Sequence, residues 1–230
     1  DPTKMAALPS AAVGGFNANQ FAQLPPAAMA GFDPSKMLAL PPAAVAGFSA
    51  AKMQALPPEA MRVFDPAKMA QLPPAAMAGF DPTKMQALPP QAMAVMNPNQ
   101  LGQMPAQAME AIRFTQMSVL PPNAMQGFRP ELMAALPPQI VQAFKPEQFA
   151  SVPPTAFGGM EPDQIRVLPP NAARVLSPQQ VSAVPPQALA AIPPGVFRAL
   201  PPSAIAALTP EQRSALPPQA LNPPALAQPA

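Results

Sequence analysis

The sequence predicts an all-α protein: a narrow α-solenoid of very short, proline-initiated helices. Three observations lead there. The chain has 41 prolines in 230 residues, more than three times the usual ~5%. Yet 49% of its residues are hydrophobic and only 10% charged, the reverse of the balance that keeps a chain disordered. From Asp1 to Pro224 it divides into 28 octads without insertion or deletion. Within the octad the large apolar residues keep fixed places: all 16 methionines and 11 of the 12 phenylalanines stand at position 5 or 8, and 38 of the prolines at position 1 or 2.

The start of each octad reads as a helix start. In Thr209-Pro210-Glu211-Gln212 the threonine is an N-cap, the proline takes the first helical position where its missing N–H costs nothing, and Gln212 completes a capping box. Asp33-Pro34-Ser35-Lys36 begins the same way. The end is equally marked, because position 8 precedes a proline or an N-cap, and a residue before proline is pushed out of the α region. About six residues remain for the helix, too few to persist alone in water, so neighbours must hold it. Positions 5 and 8 lie three apart on one face and carry the core. Positions 3 and 6 are small or polar and face solvent, and Ala or Gly at position 7 permits close backbone approach.

A second period overlies the first. Most odd octads open with Asp, Asn, Ser, Glu or Thr and carry Lys or Gln at position 4, whereas even octads nearly all open with Pro-Pro and mostly carry Ala there. The expected unit is therefore two octads paired into a 16-residue coil, about 14 coils in all, stacked so that each touches only its neighbours. The expected organisation is a continuous repeat over 1–224 with a tail at 225–230. A β-solenoid is disfavoured because Pro-Pro removes ladder donors and the apolar spacing is 3 then 5, not 2. A polyproline bundle would need proline at every third residue.

SPQQVSAV (177–184) and TPEQRSAL (209–216) resemble the T-x-x-Q-[VI]-x-A-L octapeptide arrays of large bacterial surface or secreted proteins. The resemblance implies an architectural segment, an extracellular or cell-surface location and no catalytic residues. The Pro-Pro of the even octads and the methionine-rich core depart from that pattern.

Composition excludes more than it proposes. With no Cys or His, thiolate and imidazole chemistry are absent, and Ser and Thr have no visible base partner. The best acidic pair, Asp163 with Glu161, reads as a solvated helix start. No catalytic, cofactor or metal residues are expected, and the chain reads as non-enzymatic. A net charge of +2 argues against nucleic acid as a partner. Prolines leave no apolar run of the ~20 residues a membrane span requires.

Several features stand as candidates. A methionine ladder (Met29, Met37, Met53, Met61, Met69, Met77, Met85, Met93) has soft thioethers suited to Cu(I), but its restriction to positions 5 and 8 reads as core. A lysine ladder (Lys36, Lys52, Lys68, Lys84), usually behind an Asp, reads as a solvated capping face, with a polyanion-binding or rod-zipping stripe as the functional alternative. Octad 15 (113–120) lacks proline and has Phe114 in its place, so a helix is expected to run on from Ala106, giving a kink or an exposed aromatic. Ala173 in a core place suggests a small void, and Arg213 a polar terminal cap. Met5 and Leu8 are expected to lie open at one end. The expected function is a structural rod, spacer or fibre-forming segment of a larger secreted or surface protein, self-associating end to end or laterally. The alternatives are an elongated binding module for a peptide, glycan or surface, and a Met-rich Cu(I)-binding protein.

Overall fold

The computed structural model describes residues 1–221; the expected tail and the last three positions of octad 28 lie outside them. All regular structure among the described residues is helical, in 22 α-helices and six 3₁₀-helices, one per octad. The local logic is the one the sequence announces. The Asp33 carboxylate accepts from the Lys36 N–H at 2.8 Å, Asn17 and Gln20 cap one another reciprocally, and Leu40 ends its helix in extended backbone before Pro41. Positions 5 and 8 form the core: Met37, Leu40, Met53, Leu56, Met61 and Phe64 are all at most 1% exposed.

The 3₁₀-helices, Pro26–Gly31, Pro42–Gly47, Pro58–Val63, Pro74–Gly79, Pro122–Gly127 and Pro154–Gly159, all occupy even octads. Five end on glycine, and close approach is the reason. A Cβ on Gly79 would lie 2.2 Å from the Ala50 carbonyl oxygen, and one on Gly31 2.4 Å from that of Pro2. None of these glycines has positive φ, so they serve packing and not backbone freedom.

The chain divides into two compact units, Asp1–Phe128 and the residues from Arg129 onward. In the first unit Pro2–Ala7 packs on Pro26–Gly31, Ala18–Gln23 on Pro42–Gly47, Ala50–Ala55 on Pro74–Gly79 and Pro98–Gly102 on Pro122–Gly127. In the second, Pro130–Ala134 and Pro178–Ala183 both pack on Pro154–Gly159, and Pro186–Leu189 packs on Pro210–Ala215. Every one of these pairs is three octads apart. The narrow all-α solenoid is therefore present, but the expected two-octad coil is corrected: a coil takes three octads, with a short helix on each of three sides. Two six-residue helices would face one another with no room for the two large residues that each projects inward, whereas three enclose them.

The two-octad period remains as an alternation of chemistry. Three is odd, so each odd octad stacks on even ones, and where the even octad is a 3₁₀-helix its odd partner is an α-helix. The stack is also polar along its axis. In the first three octads Met5, Val13 and Phe21 at position 5 are buried, while Leu8, Phe16 and Leu24 at position 8 are half-buried. From octad 4 onward in this unit position 8 is buried as well. Position 5 therefore faces the following coil and position 8 the preceding one. Of the two residues expected at the open face, only Leu8 is partly exposed; Met5 is already covered, because octad 4 packs on its helix.

Deletions distinguish coil from alternation. Removal of residues 65–80 keeps odd on even and is expected to leave a cooperatively melting helical protein. Removal of 65–88, one whole coil, places like octads on one another and is expected to lower the melting temperature much further, although both ends of the cut remain in octad frame. Circular dichroism melts of the two deletions make the comparison.

Candidate functional site

The side chains at position 4 form the most specific polar arrangement in the molecule. Among the described residues the buried polar and charged side chains are Lys36, Lys52, Lys68 and Lys84, and Gln100, Gln116, Gln148, Gln164, Gln180 and Gln212, every one at position 4 of an odd octad. The lysine ladder is thus neither a solvated capping face nor a surface stripe, since each of its lysines is at most 5% exposed.

The glutamines show why. The Gln180 Oε1 accepts from the Ser177 N–H at 2.8 Å, closing the capping box. Its Nε2 donates to the Phe149 and Val152 carbonyls at 2.9 and 2.8 Å. Gln100 reaches Met69 and Leu72, Gln116 reaches Met85 and Leu88, and Gln164 reaches Met133 and Leu136. Each acceptor belongs to the octad four back, at positions 5 and 8, where a short helix leaves its last carbonyls without intrahelical donors. One amide therefore caps its own helix start and the helix end of a lower coil. Among the described residues no buried side-chain nitrogen or oxygen lacks a partner.

Lysine fills the same place with a charge. The ammonium groups of Lys36, Lys68 and Lys84 pair with the N-cap carboxylates of Asp33, Asp65 and Asp81, and Lys84 also donates to the Gln54 carbonyl at 3.2 Å. The hydrogen bond from Lys36 leads the causes that hold the Asp33 carboxyl far below its usual range. At Asp65 and Asp81 burial works the other way, and hydrogen bonds from Lys68 and Lys84 with those of the backbone outweigh it. Lys52 differs, because its N-cap is Ser49. Its ammonium donates to the Ala22 and Gly47 carbonyls at 2.7 and 3.1 Å and stands 5.7 Å from the centre of the Phe21 ring. Desolvation without a carboxylate partner lowers its pKa.

The remaining candidates are dispersed. Asp163 pairs with Arg166, both exposed, and the Glu161 N–H donates to Gln164; the two acids are helix starts. The eight methionines of the ladder are each 0% exposed, placed as core. Ala173 is fully buried. Arg213 is exposed and donates to the Leu208 and Ala206 carbonyls at 3.1 and 2.9 Å, covering helix-end acceptors as a polar cap does. In octad 15 the helix does not run on: Ala106–Met109 and Phe114–Val119 are separate, and the second starts without proline, its Gln116 Oε1 accepting from the Arg113 N–H. Phe114 is 54% exposed, although the run-on helix expected to bring that exposure does not form. Arg113 also donates to the Leu88 carbonyl at 3.0 Å and borders an open groove of about 510 Å³ with Glu59, Arg62, Thr83 and Gln86. Sequence reasoning missed this groove, since its walls meet only when octads 8 and 11 are stacked.

No helix among the described residues is long and apolar enough to cross a membrane. The chain matches no known family model and no curated protein.

The position-4 layer can be tested at two of its members. Gln180→Ala strands the Ser177 N–H and two carbonyls and is expected to cost about 2–3 kcal/mol, against less than about 0.5 kcal/mol for Gln179→Ala on the surface; urea unfolding measures both. For Lys52, a folded pKa below the unfolded value means that the unfolded chain binds more protons between the two, so stability rises with pH across that window, up to about 10.4. Lys52→Gln is expected to flatten that rise and to stabilise the protein at neutral pH. Melting temperatures from pH 7 to 10.5 check it, in a chain without His, Cys or Tyr to titrate there.

Proposed function

We propose that the chain is a structural rod, a non-enzymatic spacer or fibre-forming segment of a larger secreted or cell-surface protein, which self-associates end to end or laterally. The observation that carries this reading is the uncovered layer face of octads 1–3. Leu8, Phe16 and Leu24 are half-buried there, and Lys4 and Gln20 at position 4 are exposed, whereas Lys36, Lys52, Lys68 and Lys84 further along are buried against carbonyls or carboxylates. It is a copy of the face that every later coil of this unit presents to the one before it. Further octads of the same kind, in one longer chain or at the opposite end of another molecule, supply its complement, and either arrangement propagates the stack. The buried polar groups of the described residues support the same reading, because they serve helix ends and join one coil to another. The likeness of SPQQVSAV and TPEQRSAL to bacterial surface arrays supports the location and source.

The test compares the intact chain with Leu8→Glu/Phe16→Glu/Leu24→Glu by light scattering and negative-stain electron microscopy. Growth into filaments is expected for the intact chain and its loss for the triple variant, with unchanged helical circular dichroism. A chain that forms no end-to-end assembly at high concentration contradicts the proposal.

A further inference from the structure

Three octads per coil sort the surface of the first unit into three columns that no linear reading of the sequence separates. One column stacks Pro34–Ala39, Pro58–Val63, Pro82–Ala87 and Ala106–Met109 in succession. Its position-6 residues are Leu38, Arg62, Gln86 and Glu110, all exposed, Leu38 at 64%. Its position-3 residues are Ser35, Glu59, Thr83 and Gln107, exposed as well. In the same unit the column of octads 3, 6, 9, 12 and 15 has Ala22, Ala46, Ala70, Ala94 and Ser118 at position 6, and that of octads 1, 4, 7, 10, 13 and 16 has Ala6, Ala30, Gln54, Ala78, Gly102 and Gln126. The charged side chains at position 6 of this unit are thus gathered on one stripe.

The stripe is self-complementary. Arg62 and Glu110 stand three octads, one coil, to either side of Gln86. Neither has an ion-pair partner among the described residues. We infer that this stripe is a lateral contact between two copies of the chain, packed antiparallel about a twofold axis through Gln86. A twofold there sets Arg62 of each copy against Glu110 of the other, pairs the two Gln86 amides, and brings Glu59 as acceptor to Gln107 as donor. Such isologous pairing uses the same patch on both molecules. The open groove between Arg62 and Gln86 leaves room for side chains from the second copy. With a coil spacing of about 8–10 Å, the two Arg62 guanidiniums lie roughly two coils apart, beyond a Debye length of ~8 Å at physiological salt, so opposite charges meet while like charges are screened.

The inference rests on the lateral half of the structural-rod reading, and the experiment separates it from the end-to-end half. Sedimentation equilibrium is run over a concentration series at low salt, in the end-blocked Leu8→Glu/Phe16→Glu/Leu24→Glu background. A monomer–dimer equilibrium is expected, weakened by raising salt to about 0.5 M. Arg62→Glu alone, or Glu110→Arg alone, places like charges opposite twice and is expected to weaken the dimer about tenfold. Arg62→Glu with Glu110→Arg is expected to restore it. Arg62 and Glu110 are exposed, and circular dichroism confirms that the variants and their end-blocked background fold. A monomer at every concentration, or single and double swaps of equal effect, overturns the lateral contact and leaves the stripe to a partner of other chemistry; filaments of the chain without the end block then still uphold the end-to-end reading.

Discussion

The fold depends on one hydrogen-bond pattern: a buried position-4 side chain that caps its own helix start and reaches the free carbonyls of a helix four octads earlier. A helix of four to six residues satisfies few of its own backbone groups, since the first four N–H and last four C=O groups of any helix have no internal partner. Here nearly the whole helix consists of such ends. Proline at the first helical position removes one donor from the account, the N-cap and the glutamine Oε1 accept two more, and the glutamine Nε2 covers carbonyls of the coil below. Short helices persist because each terminus is completed by another part of the stack.

The arithmetic of the coil then explains the sequence. A step of three octads changes parity and a step of four preserves it. Stacking therefore sets an odd octad on an even one, where alanine and glycine let backbones approach to the point that a Cβ on Gly159 would lie 1.9 Å from the Pro130 oxygen. Hydrogen bonding connects odd octads to odd, from Gln212 back to Val181 and Val184. The two-octad alternation is what remains visible when a three-octad coil and a four-octad hydrogen-bond step must both be served.

Much of this was legible beforehand. The octad frame, the capped and proline-stopped helices and the core at positions 5 and 8 follow from local rules that act within a single octad. The coil length did not, because it depends on how many helices are needed to enclose the residues they bury, and periodicity reports chemical identity, not spatial return. The lysines misled for a related reason. Lys36 behind Asp33 has the spacing of an exposed ion pair, and nothing within the octad reveals that a preceding coil covers it. Gln100 and Gln116, replacing lysine in the same place, carried the available signal, since a face indifferent to charge but constant in donor capacity is a hydrogen-bonding interior. The Arg62–Gln86–Glu110 stripe was hidden by the same error, as its members become neighbours only at a three-octad step.

The central claim is that the chain returns on itself every three octads. Because the protein has no cysteine, paired spin labels report on it without interference. Labels at Gln54→Cys and Ala78→Cys, three octads apart on the stacked helices Ala50–Ala55 and Pro74–Gly79, are to be compared with labels at Gln54→Cys and Ala70→Cys, two octads apart. The first pair is predicted to show strong dipolar broadening, as expected for backbones one coil spacing of about 8–10 Å apart, and the second pair markedly less. Stronger coupling in the two-octad pair would contradict the three-octad coil.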